Sequence, residues 1–408
     1  MISYSEALKI ILQEAGRQPL HEERVDVSKI NGRISAADIQ AAVDNQPFDN
    51  SAMDGFAMKV ADLQSASPDN SVALGVAGHI AAGELRRFDA PAAGQCYEIM
   101  TGAPLPPGCD AVVPVEKTER DNSGHVLFRE APVGGDNIRY AGSDFRKGDV
   151  VIRKGEALST GHILALATIG IGHVDVVRKA KVALISTGQE IIDSFDVPLQ
   201  YGQIYNSTKP YLKSAIAALG MEVAASDTVQ DNPDSLRQKL TALLDQGIDI
   251  CLSTGAVSAG AHDFVPAVLK DMGAEIFFHK VAMRPGKPVL FARFQDDGPF
   301  YVGLPGNPAA TAAGLRFFVA PLLRAIQGLS PEAPQFAVLK NDYRKGDLPL
   351  RFFMRAKFGH NAQGLREIEI PQKQLSFMVS PFVGTNAWAI IPENVSLLKA
   401  GDLVEFYQ

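Results

Sequence analysis

Between residues 181 and 326 the chain alternates short apolar runs with segments of helical period, and no other feature constrains the fold as much. The runs 182–186, 223–226, 248–253, 275–279, 289–294 and 301–304 have the length and composition of buried strands. Segments 209–219, 233–246 and 264–272 separate the first four of these runs and carry apolar residues at helical spacing, as does 309–326 after the last. Strands separated by helices imply right-handed crossovers and a largely parallel, doubly wound sheet, so this region is expected to form a three-layer α/β domain. In such sheets a ligand sits at the carboxyl ends of the strands, where segments 186–190, 253–260 and 305–308 fall.

The remainder of the chain has a different character. Residues 4–15 place apolar side chains at 4, 7, 8, 11, 12 and 15, the stripe of an amphipathic helix, and residues 1–27 are assigned to the α/β domain with 181–328. Block 47–148 is rich in Gly, Pro, Asp and Asn and has short alternating runs at 72–76 and 126–130, which predicts a mostly β insertion with long loops. The flanking stretches 28–46 and 149–180 are expected to pack together as a connecting domain. Beyond residue 328 only short β-like runs remain (336–339, 352–358, 389–392, 403–406), so 329–408 reads as a small, barrel-like β domain. The expectation is a multidomain α/β plus β protein, consistent with a length of 408 residues.

A formal charge of −7, with no long basic run and no basic amphipathic helix, argues against a general nucleic-acid or membrane-surface binder. The three cysteines are far apart and form no C-x-x-C pair, which favours a reducing compartment and gives no structural zinc or disulfide framework. The N-terminal stretch carries Glu6 and Glu14 and lacks a cleavable apolar core. The most apolar stretch, 163–171, falls short of the ~20 residues of a membrane helix. A cytoplasmic protein is expected.

The densest chemistry lies in 248–289. Loop 253–260 is built of small residues, so its N–H groups can approach a ligand unobstructed. Asp263 and Phe264 then open a helical stretch, and Lys280, Arg284 and Lys287 follow, a set suited to a phosphorylated or oxyanionic ligand. Elsewhere the signals are ambiguous one by one. In DNSAMDGFAM (49–58) the polar residues fit an Asx-type turn as well as a ligand site at Asp54. Thr101-Gly102 precedes a loop stiffened by Pro104, Pro106 and Pro107. Arg139 and Asp144 fit a surface ion pair, worth under about 1 kcal/mol, as well as a site. Thr187, Gly188 and Glu190 follow a predicted strand, yet Glu190 also suits a helix cap. GLPGNPAA (303–310) reads as a sharp strand-to-helix turn fixed by Pro305 and Pro308. There is no Walker A, G-x-G-x-x-G after a strand, G-x-S-x-G or H-E-x-x-H pattern.

The order of these segments is more telling than any one of them. DNSAMDGFA, IMTGAPLPPGCDAVV, NIRYAGSD, STGQEI, GQIYNS, TGAVSAGAHDFV, VAMRPGKP and GLPGNP follow one another along the whole chain, and the set resembles the molybdopterin molybdenumtransferase family, MoeA in bacteria and the gephyrin E domain in animals. The resemblance implies an elongated homodimer of four-domain subunits with a central molybdopterin-binding α/β domain. It implies conversion of adenylylated molybdopterin and molybdate to the molybdenum cofactor and AMP with Mg²⁺, in a dimer cleft where one subunit's α/β domain faces the other's insertion. It further implies catalytic roles for Asp54, Asp144, Glu190, Asp231 and Asp263, with Glu190, Asp231 and Asp263 toward the metal. Substrate-binding positions by motif match are Thr101, Arg139, Thr187, Gly188, Ser253, Gly255, Ser258, Lys280, Arg284, Lys287, Pro305 and Ser380. A separate adenylyltransferase is implied as the partner that hands over the substrate. The chain departs from the family pattern at Gln189, Ala256, Arg284 and Pro381. A non-catalytic dimeric scaffold of the same fold and a tungstate-inserting homologue stand as alternatives.

Overall fold

The computed structural model describes residues 1–256, 264–295 and 297–408. They form two compact units, one of Met1–Glu23 with Val177–Gln408 and one of Arg24–Val176.

The first unit contains the expected α/β domain. Its sheet has six strands: β1 (Lys181–Thr187), β2 (Glu222–Val229), β3 (Ile250–Thr254), β4 (Ala274–His279), β5 (Leu290–Phe294) and β6 (Phe300–Leu304), in the order β2-β1-β3-β6-β5-β4. Four neighbouring strands, β2, β1, β3 and β6, run parallel, whereas β5 is antiparallel to both β6 and β4. The reversal departs from the expected parallel sheet, and its cause is local. The link from Phe294 to Phe300 is too short for a crossover, so the two strands close as a hairpin.

Alternation along each strand divides the core into two faces. Val182, Leu184, Ile250, Leu252, Phe300 and Val302 meet the helices α1 (Tyr4–Arg17) and α2 (Thr208–Ala218). Ala183, Ile185, Cys251 and Tyr301 meet α3 (Pro233–Leu244) and α4 (Val265–Asp271). Helix α1 starts where the Ser3 hydroxyl accepts the Glu6 N–H at 3.1 Å, and its apolar stripe Tyr4, Ala7, Ile11 and Ala15 is buried. The long apolar helix α5 (Pro308–Ile326) has 19 residues, enough by length and composition to cross a membrane, but 78% of its apolar window is buried in the protein. It is a core helix.

The C-terminal strands Gln335–Leu339, Arg351–His360, Arg366–Glu369, Ala387–Ile391 and Leu403–Tyr407 pair in a closed cycle, since Arg351–His360 meets both Arg366–Glu369 and Ala387–Ile391. Closure leaves no free edge among them and makes a small barrel. Phe317 of α5 joins barrel and α/β layers, with ring centroids 4.2 Å from Phe353 and 5.7 Å from Trp388.

The second unit is mostly β. A six-stranded sheet runs in the order Ala111–Pro114, Gly55–Met58, Gln95–Ile99, Val72–Ile80, Val126–Phe128, Thr118–Arg120 over a core containing Phe56, Met58, Leu74 and Phe128. A separate cluster, including Ile30, Ala41, Ile152, Leu158, Leu166 and Val176, lies around the helix Thr160–Thr168.

Candidate active site

The carboxyl ends of β1, β3 and β6 open into a cleft of about 1090 Å³ within the first unit. Two glycines let its floor close up. Gly255 has φ +91, and a Cβ there would meet the Thr187 carbonyl oxygen at 2.6 Å and its Oγ1 at 2.7 Å. Gly188 has φ +152, and a Cβ there would lie 2.9 Å from Oε2 of Glu190. Both backbones favour glycine, and at Gly255 the approach to a rigid carbonyl excludes any Cβ.

Beneath the floor runs a chain of hydrogen bonds. Thr187 Oγ1 donates to the Thr254 carbonyl at 3.2 Å, and the Asn206 amide donates to Ser186 Oγ at 3.1 Å and to Asp193 Oδ1 at 2.9 Å. Lys209 Nζ donates to Asp193 Oδ2 at 2.8 Å, while its N–H donates to Asn206 Oδ1 at 3.1 Å. Burial opposes ionisation of Asp193, but bonds from Lys209, Thr228 and Asn206 outweigh it and hold the carboxyl below the usual range. Asp193 thereby ties down the segment that begins at Glu190.

Of the residues expected from sequence, Thr187, Gly188, Glu190, Asp231, Gly255, Arg284, Lys287 and Pro305 line this one cleft. The basic finger is braced by the barrel. Met283–Arg284 pairs with the start of strand Arg351–His360, and the Arg284 guanidinium lies 5.4 Å over the Phe352 ring. Ser258 and Asp263 lie outside the described residues.

Three of the expected residues are not on this lining. Ser253 is fully buried on the α3/α4 side of the sheet, where its Oγ accepts the Tyr301 hydroxyl at 2.6 Å, so it does not line the cleft. Strand alternation turns it inward although it belongs to the small-residue run. Lys280 also does not line the cleft. It follows β4, the edge strand on the side away from β1 and β3, and its backbone is fastened to Val289 at 3.0 Å and to Ile2 at 3.2 Å. Ser380 is not on the lining either, although Val379 and Pro381 beside it are.

Sequence reasoning missed most of the wall that the barrel contributes. Arg355, Gln374 to Val379, Phe382 and Trp388 all line the cleft. Arg355 Nε donates to Thr385 Oγ1 at 2.9 Å, and its guanidinium lies 5.0 Å over Phe382 and 4.9 Å over Trp388. Asn206 and Thr254 were also missed. GQIYNS was a legible signal, but the pattern does not say which side chains reach a cleft.

Asp54, Thr101, Arg139 and Asp144 belong to the second unit. There the three sequence segments converge, since Asn50–Ser51 pairs with Ile138–Arg139 and the Gly102 N–H donates to Ser51 at 2.8 Å. The Thr101 hydroxyl and N–H both donate to Asp54 Oδ1, at 2.6 and 2.7 Å, and hold its carboxyl below the usual range. Asp144 Oδ2 accepts from the Asn45 amide at 2.7 Å.

Among the described residues no three His, Cys, Asp or Glu side chains group closely enough to hold a metal by themselves. Glu190 and Asp231, the described carboxylates of the cleft lining, still suit Mg²⁺, which commonly takes one or two carboxylates plus phosphate oxygens.

Comparison with known proteins finds matches along the whole chain. Residues 2–170 match the MoeA N-terminal region (domain I and II), 183–325 the probable molybdopterin binding domain, and 337–408 the MoeA C-terminal region (domain IV). The chain is 36% identical over 405 residues to the molybdopterin molybdenumtransferase of Synechococcus elongatus, covering 99% of each. It is 33% identical over 388 residues to that of Haemophilus influenzae, covering 95% of this chain and 93% of the relative. The fold matches a crystal structure of the molybdopterin biosynthesis MoeA protein from Pyrococcus horikosii with a TM-score of 0.84 at 31% identity, over 100% of this chain and 98% of that one. The chain belongs to the molybdopterin molybdenumtransferase (MoeA) family.

Proposed function

We propose that the cleft at the ends of β1, β3 and β6 binds adenylylated molybdopterin and molybdate and converts them to the molybdenum cofactor and AMP. As a member of its family, the chain is an enzyme of molybdenum insertion in cofactor biosynthesis. The observation that carries the finer reading is the meeting of Glu190, Asp231, Arg284 and Lys287 in one cleft over a floor narrowed by Gly188 and Gly255.

Arg284 and Lys287 supply fixed positive charge for the oxyanion and the substrate phosphates, inside walls that raise its effect above that of free cations in water. Glu190 and Asp231 would hold Mg²⁺, with Asp263 as the third acid expected from sequence, and a bound ion would supply charge neutralisation at the substrate's phosphoanhydride. Thr187 and Gly255 set the floor against which the phosphates lie.

The reading extends to the whole chain. It has four domains (1–27 with 181–328, 28–46 with 149–180, 47–148, and 329–408), acts in the cytoplasm as a homodimer, and receives its substrate from an adenylyltransferase partner. Asp54, Thr101, Arg139 and Asp144 form the second polar group of the reaction, and Ser380 serves the substrate from the end of the barrel loop.

The test is AMP release by the purified protein supplied with adenylylated molybdopterin, Mg²⁺ and molybdate, with tungstate in a parallel arm. Oxyanion-dependent AMP release is expected. An enzyme that binds substrate yet releases AMP at the same rate with either oxyanion or with none would overturn the proposal.

A further inference from the structure

The barrel's wall of the cleft carries an exposed apolar stretch at Leu375, Phe377 and Val379. Phe377 is 65% exposed although it lines the cleft, and its neighbours Leu375 and Val379 are 42% and 52% exposed. The other aromatic residues of that wall are packed. Phe382 meets Trp388 edge-on at 5.8 Å, and Phe353 is buried against Phe317. Phe377 has no ring partner among the described residues.

The segment just before it is nevertheless held. The Gln374 amide donates to the carbonyls of Arg355 at 2.8 Å and Pro371 at 3.0 Å, and its Oε1 accepts the Arg355 N–H at 2.9 Å. The Ser376 carbonyl accepts the Ala309 N–H at the start of α5 at 3.3 Å. On the α/β side the same cleft is lined by Ile204, 54% exposed, and by Tyr205. A bare phenyl ring on a fastened backbone offers nothing to a phosphate or an oxyanion. It does offer a stacking face to a planar heterocycle, with little ordering entropy left to lose.

We infer that Phe377 stacks on a heterocycle of the substrate, the pterin or the adenine, and thereby sets substrate affinity. This rests on the reading of the cleft given above. The lower part of the stacking range for a single base corresponds to roughly a tenfold loss of affinity on truncation.

The test uses the full chain with Phe377→Ala, Phe377→Leu and Phe377→Trp, AMP and a free oxidised pterin as separate calorimetric ligands, and turnover of adenylylated molybdopterin. Phe377→Ala is expected to raise the substrate KM about tenfold with a smaller change in kcat and unaltered melting. Phe377→Trp restores affinity, and Phe377→Leu does not. Weakening of AMP binding alone assigns the ring to adenine, and weakening of pterin binding alone assigns it to the pterin. Wild-type KM in Phe377→Ala, or full rescue by Phe377→Leu, overturns the inference. A wild-type protein that fails to release AMP would instead overturn the functional reading on which it rests.

Discussion

Replacing Gly255 by alanine tests how the floor of the cleft is built. At φ +91 an alanine sits in a backbone region that costs about 1–3 kcal/mol for an L side chain. Its Cβ would also fall 2.6 Å from the Thr187 carbonyl oxygen, a rigid backbone atom, so that β1 or β3 must shift. Such overpacking adds about 1–3 kcal/mol. The expected sum, about 2–6 kcal/mol, is a large part of the ~5–15 kcal/mol that holds a domain together, yet leaves it folded at low temperature. Gly273→Ala is the control, because Gly273 has φ +80 but no atom within 4 Å of its Cβ position. It carries only the backbone cost. In scanning calorimetry Gly255→Ala should therefore melt clearly below Gly273→Ala. Because Thr187 lines the cleft, AMP release should also fall, by up to ~100-fold for a displacement near 1 Å. If the two variants melt together and Gly255→Ala turns over like wild type, the close-approach account of the floor is wrong.

Other expectations follow from the same geometry. Arg284→Ala and Lys287→Ala should each raise the apparent molybdate KM by roughly 10- to 100-fold, the loss of a charge-assisted hydrogen bond, with Arg284→Lys milder. Lys280→Ala, off the cleft, should change it less than twofold, and an equal effect would return Lys280 to the site. Thr101→Val removes one of two donors to Asp54, so the Asp54 carboxyl followed by NMR should titrate higher than in wild type. Since its folded value is depressed, Asp54 stabilises the fold fully above the ordinary carboxylate pKa near ~4, and that contribution is lost as pH falls through the folded value. An unchanged titration would show that the backbone N–H alone sets it. Mixing Asp54→Ala with Asp231→Ala subunits should restore AMP release if a homodimer shares its acids, and proven subunit exchange without activity would reject that assembly.

Much of this protein was legible in its sequence because the relevant signals are local. The continuous apolar runs at 182–186 and 248–253 and the helical stripe of Tyr4, Ala7 and Ile11 report how each segment is buried. Gly188, Gly255 and the cations Arg284 and Lys287 stand at strand ends or in turns, where chain direction alone points to a ligand. Tertiary structure decided the rest. Ser253 and Thr254 are adjacent and similar, yet pleating buries one against Tyr301 and opens the other to the cleft. Lys280 and Lys287 are seven positions apart in one basic stretch, but strand order leaves the first at the sheet edge. The wall of Arg355, Phe377 and Phe382 exists only because the barrel docks on α5 through Phe317, Phe353 and Trp388. Periodicity shows that a face must be buried. Which distant face covers it, and so which side chains remain to line a cleft, is settled only when the layers pack.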